Sequence, residues 1–182
     1  DSKIYKGYYG ANTKIYHNVV PSEKKEKTFI YVGSLDKRKS FDILIDSFDA
    51  YKKEGGTWGL QVIGKGFLEN KIESLNIDYK GFLQPEETAF HLNRSKVLIL
   101  PSRDDNWGTV VCEAAACGNL LLTSRNVGAS KDIVIQGVNG KIIENLDVKN
   151  LTKEMFWFQN LSDTKFELGY KISLSIASQF TE

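Results

Sequence analysis

At 182 residues, with 41% hydrophobic and 26% charged side chains, the chain is long enough for one domain with a proper core and has the make-up of an ordinary globular protein. Its 24 basic and 23 acidic residues leave no charge excess to hold nucleic acid or anionic lipid by bulk electrostatics. No apolar run approaches bilayer-spanning length and no signal peptide is visible, which points to a cytoplasmic protein or one working at the inner face of the membrane. The chain opens at Asp1 without a Met, so it reads as a processed chain or an excised piece. Cys112 and Cys117 fall on different faces of one predicted helix and read as small buried hydrophobes in a reducing compartment. His17 and His91 stand alone, so no metal site is expected.

Residues 1–27 are polar, with Tyr5, Tyr8, Tyr9 and Tyr16 interspersed, and read as an N-terminal arm or interdomain segment holding a short strand at Lys14–Tyr16. Residues 28–182 form the predicted domain. Phe29–Val32 is a β-branched and aromatic run ending at Gly33, the first core strand. A loop carrying Ser34, Asp36, Arg38 and Lys39 leads to Ser40, a plausible N-cap, and a helix with Ile43, Leu44, Ile45 and Phe48 on its apolar face. A second strand spans Trp58–Gly64 and runs through Lys65 and Gly66 into a predicted helix over about Phe67–Asn76. Tyr79–Leu83 is a short third strand, with Phe82 open to either a ligand-facing or a core role. Pro85, with Glu86 and Glu87 behind it, has the chemistry of a helix start.

The next stretch, Val97–Leu100, is apolar throughout and reads as a strand buried on both faces. Asp104, Asp105 and Asn106 are helix-capping types, the helix they precede runs from Gly108 to Cys117, and Gly118 ends it before a strand at Leu120–Thr123. That helix is apolar or small around most of its circumference except for one carboxylate, Glu113. A buried charge is costly without partners, so Glu113 reads either as a salt-bridged or edge residue, or as an acceptor for a ligand lying along the helix start. Free N–H groups at Gly108, Thr109 and Val110 attract phosphate, and Glu113 stands about one turn on, roughly 6 Å at 1.5 Å per residue, which suits the hydroxyl pair of a ribose. Beyond it, Val127–Ser130 is a turn, Asp132 opens a short helix, Lys141–Ile143 is an edge strand, and two helices close the chain. Phe156, Trp157 and Phe166 in those helices read as core or domain-contact surface. Strands alternate with helices throughout, so the fold class is α/β: a Rossmann-like open parallel sheet with helices on both faces, its ligands outside the carboxyl ends of the strands.

Asp105 and Glu113, with seven residues between them, within PSRDDNWGTVVCEAAACG and followed by LLTSRNVGASKDIVIQGVNGKII, resemble the paired acidic motif in the donor-binding half of retaining, glycogen-synthase-like glycosyltransferases of the two-domain GT-B type. The family usually has Glu at both positions, and Asp105 is one methylene shorter. Gly33, Leu35 and Lys39 match the family's Gly-Arg-Leu…Lys pattern that grips the donor diphosphate, with Ser34 where the family has Arg and Arg38 as a nearby cation. Gly64-Lys65-Gly66 resembles its Gly-x-Gly turn beside the nucleotide, and IYHNVVP (Ile15–Pro21) its entry into the second half.

The resemblance implies a UDP- or GDP-sugar substrate, with no metal or other cofactor. Lys39 would neutralise the leaving diphosphate, Asp105 and Asn106 would hold sugar hydroxyls, and Glu113 the ribose. Gly108, Thr109 and Val110 would hold phosphate oxygens through N–H groups, Phe82 and Leu83 would face the base, and Trp107 would wall the sugar side or seat the loop. Lys39 and Asp105 are then the catalytic pair. It further implies transfer of a hexosyl unit, with retention, to a glycan or lipid-linked acceptor held by a first Rossmann-like half, and no activity for this half alone. A nucleotide-sugar epimerase of the same fold, or an interaction domain with a decayed donor site, remain the alternatives.

Overall fold

The fold grows from a strand that has no solvent side. All six residues of β4 (Ser95–Leu100) are buried, as the unbroken apolar run requires, and it lies at the centre of a sheet. The computed structural model describes residues 10–72 and 75–180. Among these, β1 (Glu26–Val32), β2 (Gly59–Ile63), β3 (Asp78–Gly81), β4, β5 (Leu120–Ser124) and β6 (Gly140–Ile143) make one sheet in the order β3-β2-β1-β4-β5-β6, parallel throughout. The connections are α1 (Phe41–Lys53), α2 (Pro85–Arg94), α3 (Thr109–Ala116) and α4 (Ser130–Ile133), with α5 (Val148–Gln159) and α6 (Asp163–Ala177) after the last strand.

From β1 the chain winds one way to β2 and β3, then returns through α2 and winds the other way, so right-handed crossovers place α1 and α2 on opposite faces. α5 joins α1, and α3, α4 and α6 pack together beside α2. Phe29 sits against Tyr51 (5.7 Å, edge-on) and Trp58 (5.1 Å), tying β1 to α1. Phe166 is buried in the core, while Phe156, on Tyr51 at 4.8 Å, and Trp157 are half-buried against it.

Two expected elements are absent. Ile15 lies in a turn rather than a strand, because its N–H and that of Tyr16 both donate to the Asn12 carbonyl (3.0 and 2.8 Å). The arm is nonetheless bound to the domain: Ala11 N–H donates to Phe180 O (3.0 Å), Asn18 Nδ2 to Tyr170 Oη (2.6 Å) and Val19 N–H to Asn93 Oδ1 (2.9 Å). The helix expected over Phe67–Asn76 is a 3-10 turn at Glu69–Ile72. Leu68 donates its N–H to Leu35 O (3.0 Å), which ties this segment to the loop after β1. Tyr5, Tyr8 and Tyr9 lie outside the described residues.

At the foot of β1 and β4 a buried ammonium replaces a missing cap. Lys25 Nζ donates to the carbonyls of Asn93 (2.7 Å), Leu92 and Ser95 (3.3 Å each), the last acceptors of α2, and Asn119 Nδ2 shares two of them. Burial lowers Lys25 to about 8 from its usual 10.5, and raises the Cys112 thiol to about 11 and the Cys117 thiol to about 12 from 9.0. The folded chain therefore releases the Lys25 proton near pH 8, while the unfolded chain keeps it until 10.5, so stability rises with pH from about 8. Above pH 9 the unfolded thiols ionise and the folded ones do not, which opposes the rise. Above 10 the buried tyrosines, Tyr16 and Tyr31 among them, add to the loss. Denaturant melts are expected to show stability climbing to about pH 9, levelling, and falling beyond about 10. A Cys112→Ala/Cys117→Ala variant extends the climb; a fall setting in at pH 8 in the parent chain would contradict this assignment.

Candidate functional site

The sheet's winding reverses between β1 and β4, and the carboxyl ends of these two strands part to leave a crevice. A cavity of about 490 Å³ lies there, lined by Val32, Gly33, Lys39, Leu100, Asp105, Trp107, Gly108, Thr109 and Val110. A second cavity of about 350 Å³ adjoins it at Val32 and Gly33 and runs toward the β3 edge past Ser34, Gly64, Lys65, Phe82 and Leu83. One chamber is bounded by a cation, a carboxylate and a helix start. The other is mainly apolar, and Phe82 stands 63% exposed at its rim, which settles against a core role for that ring.

Lys39 and Asp105 come from loops 66 residues apart and are joined by a direct Nζ–Oδ2 ion pair, both side chains largely buried. Their loops are fixed by neighbours. Asp36 accepts from Lys39 N–H (2.8 Å) and from Ser34 Oγ (2.7 Å), while the Ser34 carbonyl accepts from Tyr31 Oη (2.6 Å). Burial would raise the Asp36 carboxyl, but these hydrogen bonds outweigh it and hold it below the usual carboxylate range. Ser34 therefore serves the loop and brings no charge to the cleft.

On the facing side the acidic loop is held by its backbone. Asp105 N–H donates to Asn126 O (3.2 Å), Gly128 N–H to Asp105 O (3.0 Å) and Ala129 N–H to Trp107 O (2.8 Å). Arg103 crosses to the loop after β1: its guanidinium meets both Asp42 oxygens (3.0 and 3.2 Å) and Lys37 O (2.5 Å), and its N–H donates to Arg38 O (2.9 Å). Burial would raise Asp42, and Arg103 reverses the sign and holds it low.

The acids do not cap α3. Its N-cap is Gly108, at φ 80°, where a Cβ would come within 2.7 Å of Val127 and a side chain would strain the backbone. The left-handed turn is what aims the first N–H groups of α3, without intrahelical partners, at the cleft. Ser40 likewise stands at the start of α1 without a side-chain cap bond, at φ 54°. Arg38 is exposed, donates to Asp104 O (3.4 Å) and is not among the residues that line either cavity. Asn106 is exposed beyond the lining. Glu113 is half-buried rather than buried; it shares a helix face with Thr109 and Val110 one turn further on, outside the residues that line either cavity. Cys112 and Cys117 are buried, and burial raises both thiols and disfavours the thiolate. The sequence reading missed Arg103 and Asp42, which no spacing rule connects.

An all-parallel sheet of this order, with an open two-chambered crevice at its switch point, defines a Rossmann-like ligand-binding domain. The sequence profile of the glycosyl transferases group 1 matches residues 12–171, and the chain belongs to that family. It is 28% identical over 169 residues to an uncharacterized glycosyltransferase of Methanocaldococcus jannaschii, covering 89% of this chain and 45% of that protein. The C-terminal domain of LpcC, a group 1 glycosyl transferase of Francisella tularensis, superposes with a TM-score of 0.77 at 15% identity, covering 93% of this chain and 97% of that one. HepE of Anabaena, solved with UDP and glucose, superposes at 0.75 and 17% identity over 94% of this chain and 51% of that one. The fold is thus that of a C-terminal GT-B half, and the chain spans less than half the length of the curated relatives it matches. No helix among the described residues is long and apolar enough to cross a membrane.

Proposed function

We propose that this chain is the donor-binding half of a retaining hexosyltransferase that takes a nucleotide-diphosphate sugar. The observation that carries the reading is the juxtaposition of Lys39, Asp105 and the α3 start in one chamber, with the apolar chamber beside it. The diphosphate lies against Lys39 and the first N–H groups of α3, the base against Phe82 and Leu83, and the sugar against Asp105, Asn106 and Trp107. Gly33, lacking a side chain, lets the diphosphate pass between the chambers. Glu113 takes the ribose, which requires the ligand to follow α3 past the lining residues. As the glycosidic bond breaks, negative charge collects on the departing diphosphate, and a fixed cation and backbone donors stabilise it without a bound metal. The acceptor, a glycan or lipid-linked sugar, binds a first Rossmann-like half, so the chain alone binds donor weakly and transfers nothing.

Calorimetry with UDP and GDP tests the reading. A dissociation constant of about a millimolar for one of them is expected, corresponding to roughly 4 kcal/mol, and absence of heat with both rejects it. The Lys39–Asp105 pair adds a sharper expectation. Asp105→Asn frees Lys39 from its carboxylate, so UDP binds about 3–10-fold tighter while the extra affinity of UDP-sugar over UDP is lost. Weaker UDP binding by that variant would place the diphosphate elsewhere.

A further inference from the structure

The sheet has a second cleft, at the end opposite the donor crevice. It holds about 500 Å³ and is lined by residues at the amino ends of β1 and β4 and the start of α6, among them Lys25, Lys96 and Phe166. Strands of this length put it about 20 Å from the Lys39 chamber. Nothing in the donor reading uses it.

Its floor is basic and enclosed. Lys25 is 4% exposed and Lys96 8%. All three protons of Lys25 are taken by carbonyls, so it contributes its charge alone. Lys96 is different. Its ammonium stands 3.9 Å from the centre of the Phe166 ring and enters none of the hydrogen bonds or ion pairs of the described residues. A cation held on one side by a ring face and open on the other to a cleft retains unused N–H donors. Such a group, more than nine-tenths buried, is costly unless an anion meets it. Burial lowers the Lys96 ammonium from its usual value and Asp163 only partly opposes this, without pairing with it. The acids of the cleft, Glu23, Asp163 and Glu167, are exposed and stand at the rim, with Lys27 exposed beside them. Positive charge at the floor and carboxylates at the rim admit a small ligand with one anionic head, and repel a second anionic group behind it.

We propose that this cleft is a binding site for a small oxyanion of phosphate size, with Lys96 donating to its oxygens, the Lys25 charge behind it and the Phe166 ring closing one side. The site is separate from the donor crevice, and it stands or falls independently of the transferase reading.

Inorganic phosphate, titrated against chloride at matched ionic strength, provides the test. The melting temperature is expected to rise by roughly 3 °C at a concentration ten times the dissociation constant. Lys96→Met abolishes the rise while folding at least as stably without phosphate, since it replaces an unpaired buried charge by an apolar chain of similar length. Both are read in the Lys39→Met background, which removes the phosphate-binding cation of the donor crevice, so that the rise that remains belongs to this cleft. Backbone amide NMR of the unsubstituted chain gives a second reading that needs no variant: shifts should gather at Lys25–Lys27, Lys96 and Phe166. No rise in the Lys39→Met chain, a rise undiminished when Lys96→Met is added to it, or shifts confined to Gly33, Lys39 and Thr109 would each overturn the proposal.

Discussion

Replacing Lys39 by Met is expected to weaken UDP binding by about 10–100-fold and to leave the fold intact. A charge-assisted hydrogen bond to phosphate is worth about 1.5–3 kcal/mol, and each 1.4 kcal/mol is a factor of ten. The upper end applies here, because Lys39 also neutralises Asp105, and both side chains are nearly enclosed at 14% and 12% exposure. Without the lysine, the Asp105 carboxylate faces the phosphates with no cation between and repels them. Lys39→Arg should restore most of the affinity. Lys65→Met, in the neighbouring chamber, should change it by less than about threefold, as expected of a partly solvated cation. The measurement is a calorimetric titration, with a melt of each variant alongside. Equal losses at Lys39 and Lys65 would mean that diffuse charge, not a fixed contact, holds the nucleotide.

Replacing Gly64 by Ala should cost the domain about 2–5 kcal/mol, a fall in melting temperature on the order of 10 °C for a chain of this size. Two effects add. The residue sits at φ 139°, which an L side chain rarely adopts, and a Cβ there would be driven into the carbonyl oxygen of Gly33. That contact is backbone on backbone, so no rotamer change relieves it. Gly81→Ala separates the two effects. Gly81 is also left-handed, at φ 68°, but a Cβ there meets nothing within 4 Å, so strain alone remains and the expected cost is only about 1 kcal/mol. Because Gly33 and Gly64 both line the cleft, Gly64→Ala should also weaken UDP at temperatures where the domain is still folded. Equal melting temperatures for the two variants would show that the close approach of Gly33 and Gly64 is not a constraint.

Most of the sheet was legible because β1, β2, β4 and β5 carry short apolar runs and β4 is buried on both sides, a pattern set by local composition. The start of α2 was legible for the same kind of reason: Pro85 cannot donate where no donor is needed, and Glu87 accepts from Gln84 N–H at 3.1 Å. The failures share a different cause. Residues 67–76 carry helix-forming side chains, yet Leu68 is drawn to Leu35, a contact set by how β1 and β2 lie together. Asp104, Asp105 and Asn106 have capping chemistry, but Gly108 makes the turn and Asp105 spends its carboxylate on Lys39. Glu113 looked buried because its sequence neighbours are apolar, whereas its position at the edge of the α3 face leaves it half-open. The Arg103–Asp42 clamp joins residues 61 positions apart and leaves no periodic trace. Local pattern reached the elements and the loops that bear the site, and long-range pairing decided which side chains in those loops face one another.

The loop between Ser102 and Gly108 is suspended from its neighbours by amide groups: Asp105 and Trp107 are tied to residues 126–129 through peptide N–H and C=O alone. Its path therefore owes little to the side chains of Asp104 and Asn106, whereas Asp105 is also tied to Lys39. Under the donor reading proposed above, substitutions at Asn106 would retune which sugar hydroxyls are accepted while the peptide trace stays in place, with no remodelling of the scaffold.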